Sequence, residues 1–146
     1  MPYTEAVICE IFRYSSIVCG GVLHSTTIGT HFQGYFLPKD TIVMANLYNV
    51  HHSEKYWGDP ENFRPERFLA ENAAKLKEEA FMPFSTGKRV CIAENMAQTE
   101  FFLFFTGLLQ NFNIKPDPNV PLPDWEPNSG LVLSPKPYQV IFESRL

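Results

Sequence analysis

A cysteine that serves as an anionic ligand or nucleophile must sit where its charge is tolerated, and Cys91 has such a setting. It falls within the run Phe84-Ser85-Thr86-Gly87-Lys88-Arg89-Val90-Cys91-Ile92-Ala93, where an aromatic, a glycine, a cation, the cysteine and a small residue stand at fixed offsets. With average usage of about 7% for Gly and a few per cent or less for Phe, Arg and Cys, the chance of one such match is about 10⁻⁴ or below per chain of this size. A long helix is predicted to begin at Ala93, so its unpaired backbone N–H groups and positive dipole end would favour an anionic sulfur. Gly87 would let the loop turn sharply, in a conformation a side chain resists. The rival reading is an inert, buried structural cysteine. For Cys9 and Cys19, which have no comparable surroundings, that rival stands.

The run resembles the ligand loop of the cytochrome P450 superfamily, and more narrowly that of the microsomal family-2-like (clan 2) enzymes. The resemblance implies haem b, with its iron held by the axial thiolate of Cys91 as the one metal-binding residue. It also gives roles to the neighbours. Arg89 would pair with a haem propionate. Phe84 would cover the loop and limit water access, which tunes the iron. Ala93 stands where the family usually has glycine, alanine being the commonest alternative, and a small residue there lets the helix start close beneath the porphyrin. His24, in Gly21-Val22-Leu23-His24, matches a position that touches a propionate, with a solvent-facing histidine as the rival.

The family also implies a Glu-x-x-Arg pair well upstream of the ligand. Glu10-Ile11-Phe12-Arg13 fits, with both charges on one helix face, although Glu61-Asn62-Phe63-Arg64 matches the same pattern. Position separates them, since residues 2–11 closely resemble the corresponding family helix. With Arg67, from Pro65-Glu66-Arg67-Phe68, the pair Glu10 and Arg13 would form a buried structural charge cluster on the haem's proximal side. A carboxylate between two guanidiniums is tolerated inside a protein only when every partner is present. Ordinary surface salt bridges are the alternative. By the same resemblance, residues 17–24 and 128–132 line the substrate pocket, and Lys88 is a candidate contact for an acidic redox partner, with a generic solvated lysine as the alternative. His51-His52 has no metal-ligand spacing and reads as a surface turn.

If the resemblance holds, the chain is the C-terminal third of the P450 fold. That is an α+β arrangement, mainly α in the parent, with a K-type helix, short β-hairpins, the cysteine-ligand loop and a long L-type helix. Residues 1–146 would be a single partial domain. The N-terminal anchor, the distal helix with its oxygen-activating acid and alcohol, and most of the pocket roof lie outside the matched third. The parent would be a monooxygenase inserting one oxygen atom from O2 into an apolar organic substrate such as a steroid, fatty acid or xenobiotic. Its electrons would come from an NADPH-dependent flavoprotein reductase, with cytochrome b5 as a further partner. It would sit on the cytosolic face of the endoplasmic reticulum membrane. The alternative is a truncated, non-catalytic haem-binding or structural remnant.

The elements that must position these residues can be read from periodicity. Residues 2–14 are predicted helical, with Pro2 at a first helical position and Ala6, Val7, Ile8 and Ile11 on an apolar face. Gly20-Gly21 breaks the pattern. Strands are expected between 27 and 46, with Pro38-Lys39-Asp40 as the hairpin turn. Residues 47–69 read as an irregular segment with one short helical turn near 47–50, and residues 70–80 as a solvated helix or loop. The helix predicted over 93–111 has a nearly all-apolar stretch from Phe101 to Phe105, which implies burial on most sides. Seven of the twelve prolines fall between Pro116 and Pro137, so short strands are expected at 131–133 and 138–142.

The bulk numbers agree with a globular chain: 146 residues, 45% hydrophobic, thirteen Phe and two Trp, enough apolar bulk to pack around something large and flat. A net charge of −4 gives no global affinity for nucleic acid. Three scattered cysteines make no disulfide framework and point to a reducing, cytosol-facing setting. The opening Met1-Pro2-Tyr3-Thr4-Glu5 carries no secretory signal and reads as the interior of a helical domain, so a portion of a longer protein is expected.

Overall fold

The structure, a computed structural model, describes residues 1–145. Helix α1 spans Pro2–Ser15, started by proline in its first turn and ended by Ser16 in the left-handed region at φ 39°. Ala6, Glu10 and Arg13 are buried along it at four- and three-residue steps, so the inward stripe carries both charges of the Glu-x-x-Arg pair.

Two small antiparallel sheets follow. Strand β1 (His24–Ser25) pairs with β4 (Ile42–Val43), and β2 (Thr30–Phe32) pairs with β3 (Tyr35–Leu37). This corrects the expected hairpin. The turn is Gln33-Gly34, at φ 51° and 86°, the two-residue left-handed geometry that matches strand twist. Pro38-Lys39-Asp40 is a turn as well, but it sends β4 back to β1 rather than onto β3. Thr26 holds that return: its Oγ1 donates to the Pro38 carbonyl at 2.6 Å, and its own carbonyl accepts from the Asp40 N–H at 2.8 Å.

The core lies where α1 meets the middle of the chain. Helices α2 (Leu47–His51) and α3 (Glu54–Trp57), a 3₁₀ turn at Pro65–Phe68, and α4 (Ala73–Ala80) bring Trp57, Phe68 and Ala80 against Ala6. Asn46 caps α2, accepting the Asn49 N–H on its side-chain oxygen at 3.0 Å. The segment 47–69 therefore has more regular structure than its turn-forming composition suggested. Helix α4 is only partly solvated, since Ala80 is buried and Leu76 packs on the core.

Helix α5 spans Glu94–Asn111 with Ala93 at its N-cap, as periodicity implied. Its expected burial does not hold within this chain. No α5 residue is buried, and Leu103 and Phe104 are 63% and 66% exposed. Only one flank is used, where Phe101 stands 5.0 Å from Phe12 of α1. Strand β5 (Phe112–Pro116) follows α5 directly and pairs with β6 (Val140–Ser144) in a five-residue register from Phe112 opposite Ser144 to Pro116 opposite Val140. The last strand is thus shifted by two residues from its expected place. Residues 131–133 form no strand. They carry only the loop closed by the Asn128–Ser134 bridge, because the Leu133 N–H turns away to the Ile17 carbonyl at 2.8 Å. Among the described residues no helix is long and apolar enough to cross a membrane.

Candidate functional site

The loop from Met82 to Cys91 is shaped by its own backbone. The Ser85 N–H donates to the Met82 carbonyl at 3.0 Å, and the Cys91 N–H donates to the Phe84 carbonyl at 3.0 Å. Between these bonds Ser85 and Gly87 take left-handed conformations, φ 68° and 75°, and Gly87–Arg89 form a 3₁₀ turn. A Cβ at Gly87 would meet nothing within 4 Å, so glycine serves the conformation there and not a close approach. Cys91 emerges exposed, just before Ala93 caps α5. The N–H groups of Ile92 and Ala93 donate to no protein group among the described residues.

Cys91 opens onto a cavity of about 760 Å³. Arg89, Phe84 and His24 lie on the same wall, joined by Phe12, Ile17 and Phe101 from α1, the following loop and α5. Phe84 is braced edge-on by Phe12 at 5.3 Å. Neither Arg89 nor the His24 side chain forms a hydrogen bond or ion pair with a described residue, which leaves a cation facing largely apolar walls. The buried Ser15 hydroxyl, on the same wall, also has no partner. Of the expected pocket segments, residues 17–24 contribute to the wall. The 128–132 loop does not, and reaches it only through the Leu133–Ile17 bond.

Behind this wall lies the charge cluster. Both carboxylate oxygens of Glu10 accept from Arg13, Oε2 from Nε at 2.8 Å and Oε1 from Nη2 at 2.9 Å. Glu10 Oε1 also accepts from the Arg64 N–H at 2.9 Å and from Arg67 Nε at 3.3 Å. Arg13 donates onward to the carbonyls of His51 and Pro60, and Arg67 to those of Trp57, Asp59 and Asn62. Each buried charge is paired, and the guanidiniums stitch three separated segments together through backbone oxygens. The indole of Trp57 lies beneath both, 5.3 Å from the Arg13 guanidinium and 5.8 Å from that of Arg67. The decoy motif behaves differently. Arg64 is partly exposed and pairs with Asp59 at 2.6 Å, not with Glu61. That hydrogen bond, helped by the Arg67 charge, holds the Asp59 carboxyl down at about 2.

Sequence reading missed His51. It is not on a surface turn but 1% exposed, packed between α1 and the start of the ligand loop. Its Nδ1 lies 2.9 Å from Ser16 Oγ, and its Nε2 accepts the Met82 N–H at 3.1 Å. Burial, followed by His52 and Arg13 nearby, lowers its pKa from 6.5 to about 4. A histidine pair gives no periodic sign of burial, so only the contacts reveal it. Trp57 and Asp59 were passed over as turn residues, and Phe12 because its neighbour Arg13 carried the motif. Among the described residues no group of His, Cys, Asp and Glu side chains could by itself hold a metal ion. Cys9 is half-buried, and burial pushes its thiol up despite nearby Lys77, as suits an inert cysteine.

A thiol, an unpaired cation and aromatic walls around one cleft define a site for a large apolar group with an anionic edge. The sequence model of the family described as "Cytochrome P450" matches residues 1–142, and the chain belongs to that family. It is 48% identical to cytochrome P450 2B15 of Rattus norvegicus, with 99% of this chain and 30% of the relative covered. It is 44% identical to farnesoate epoxidase of Bombyx mori, with 99% and 29% covered. Against cytochrome P450 2C8 of Homo sapiens the identity is 46%, with 97% and 29% covered. The chain thus spans about 30% of the length of the curated relatives it matches. Family members carry haem ligated by a cysteine thiolate. The residues present fit that group: an exposed thiol, an unpaired arginine and an apolar cleft of sufficient volume meet at one place.

Proposed function

We propose that this chain is the haem-binding portion of a microsomal-type monooxygenase, and that Cys91 is the axial ligand. The reaction class is insertion of one atom of O2 into an apolar organic substrate, of the steroid, fatty-acid or xenobiotic kind. The second atom leaves as water, using two protons and two electrons. An NADPH-dependent flavoprotein reductase supplies the electrons, with cytochrome b5 as an accessory donor, at the cytosolic face of the endoplasmic reticulum. Residues 1–146 are one partial domain of that protein, α1 being its K-type helix and α5 its L-type helix.

The observation that carries this reading is the shared wall of one apolar cavity by Cys91, Arg89 and His24. When bound, haem supplies O2 binding and O–O cleavage, which thiolate donation favours. The chain's own residues bind and orient. Cys91 presents sulfur at the head of α5, where the N–H groups of Ile92 and Ala93 are available to an anion. Arg89 and His24 offer donors to the carboxylates at the cofactor's rim. Phe84, Phe12 and Phe101 restrict water around the sulfur. Gly87 gives the loop the left-handed turn that brings Cys91 back over Phe84. Glu10, Arg13 and Arg67 touch no cavity and serve the scaffold. No residue of this chain is assigned to proton delivery on the oxygen side.

The test is spectroscopic. In the full-length protein the reduced carbon-monoxide complex should show the red-shifted thiolate band, and Cys91→Ser should abolish it. An unchanged band in that variant would move the ligand elsewhere.

A further inference from the structure

The proposal that follows concerns the ligand loop, and it rests on the reading of Cys91 as axial ligand. Residues 82–91 are closed by their own backbone bonds at Ser85 and Cys91, but those bonds do not fasten the loop to the rest of the protein. Its first N–H does. Met82 donates to His51 Nε2, and His51 in turn is held from its other side.

The hydrogen-bond pattern fixes the state of that imidazole. The Met82 N–H can only donate, so Nε2 must be the unprotonated, accepting nitrogen. The single proton of the neutral ring is then on Nδ1, which donates to Ser16 Oγ at 2.9 Å. Ser16 passes its hydroxyl hydrogen on to the Arg13 carbonyl at 2.8 Å. The His51 carbonyl accepts from Arg13 Nη1 at 2.8 Å, so ring and backbone of one residue both lead to Arg13. Every polar atom in the chain from Arg13 to Met82 is used once and in one direction. Protonating the ring would set two donors against each other at Met82, and burial already disfavours that form.

We propose that His51, as the neutral Nδ1–H tautomer, is the positioning residue that couples the Glu10–Arg13–Arg67 cluster to the ligand loop and thereby fixes where Cys91 stands in the cavity. It touches neither the cavity nor the cysteine. Its action passes through Met82 to Phe84, whose carbonyl holds the Cys91 N–H. The left-handed Ser16, at φ 39°, places its hydroxyl between α1 and the ring, so the end of α1 is part of the same device.

Two neutral substitutions separate positioning from mere packing. In His51→Gln the carboxamide oxygen can stand in for Nε2 and keep the Met82 bond. In His51→Asn the shorter carboxamide stands in for Nδ1 and leaves the Met82 N–H unpaired. In the full-length holoenzyme, amide hydrogen exchange of residues 82–91 should quicken about tenfold or more in His51→Asn and stay near wild type in His51→Gln. The fraction of the reduced carbon-monoxide complex in the thiolate form should fall in the same order. If His51→Asn does not fold, Ser16→Ala provides the second arm. It touches no atom of the loop, yet should also quicken exchange at residues 82–91. Equal behaviour of the Asn and Gln variants, or wild-type loop exchange in Ser16→Ala, would overturn the coupling. A wild-type protein without the thiolate band overturns the ligand reading instead, and the positioning role with it.

Discussion

Arg13 lies one turn beyond Glu10 on α1 and grips both of its carboxylate oxygens, at 2.8 and 2.9 Å, with neither side chain reaching solvent. The pair is completed from outside the helix by Arg67 and the Arg64 N–H. A buried pair of this kind adds little over an apolar core of equal volume, but removing one partner strands the other.

Arg13→Ala should therefore destabilise the protein by about 3–5 kcal/mol, because it strands the Glu10 carboxylate and also releases the carbonyls of His51 and Pro60. Arg64→Ala, which removes only a partly exposed pair with Asp59, should cost about 1 kcal/mol or less. Urea unfolding midpoints of the two variants check the order. Equal shifts would contradict the assignment of the cluster as the fold's clamp.

Acid sensitivity follows from His51. Its pKa in the fold is about 4, against 6.5 for the free group, so the fold prefers the neutral ring. Its contribution is fully present above pH 6.5, declines as pH falls towards 4, and is level below that. The lost stability amounts to about 3 kcal/mol. Arg13 and His52 both face the ring and oppose its protonation, and no carboxylate offsets them there. Unfolding free energies of wild type and His51→Gln between pH 7 and 4 should converge as the pH drops. Parallel curves would argue against a buried neutral ring.

Two glycines of the same handedness allow loop strain to be separated from loop function. Gly87 at φ 75° and Gly34 at φ 86° both have open space where a Cβ would go. Alanine at either should cost about 1–2 kcal/mol from backbone strain alone. Only Gly87→Ala should lower haem retention, measured as haem per protein after gel filtration, since Gly34 turns a hairpin remote from Cys91 in the chain.

The 146-residue chain expressed by itself should bind haem weakly and self-associate, because α5 offers Leu103 and Phe104 to water. Replacing both with Gln should reduce association without lowering the melting temperature, as neither side chain is buried here. A soluble monomer of the unaltered chain with stoichiometric haem would contradict this.

The two long helices were legible because their patterns repeat over many residues. The buried stripe of α1 carries its own charges, and α5 follows three- and four-residue steps from Ala93 onward. What faces α5 was not legible, since periodicity marks an apolar side without saying what lies against it. The hairpin was misplaced because Pro38-Lys39-Asp40 is the louder turn signal. Gln33-Gly34 is a two-residue turn between matched strands, which is the stronger one. Strand β5 was overlooked although Phe112-Asn113-Ile114-Lys115 alternates, because it starts where the helix stops. The site divides similarly. The spacing of Phe84, Gly87, Arg89 and Cys91 could be read locally, whereas the burial of His51 depends on Met82, thirty-one positions away.

The clasp of Trp57 by two guanidiniums has a practical consequence. The chain has two indoles, and they lie at opposite extremes: Trp57 is 2% exposed and Trp125 is 88% exposed. Their fluorescence should differ accordingly, with a short-wavelength emission from the clasped ring and a long-wavelength one from the wet ring. A Trp125→Phe protein would leave one built-in optical gauge at the centre of the scaffold, able to follow its loosening in real time without any added dye.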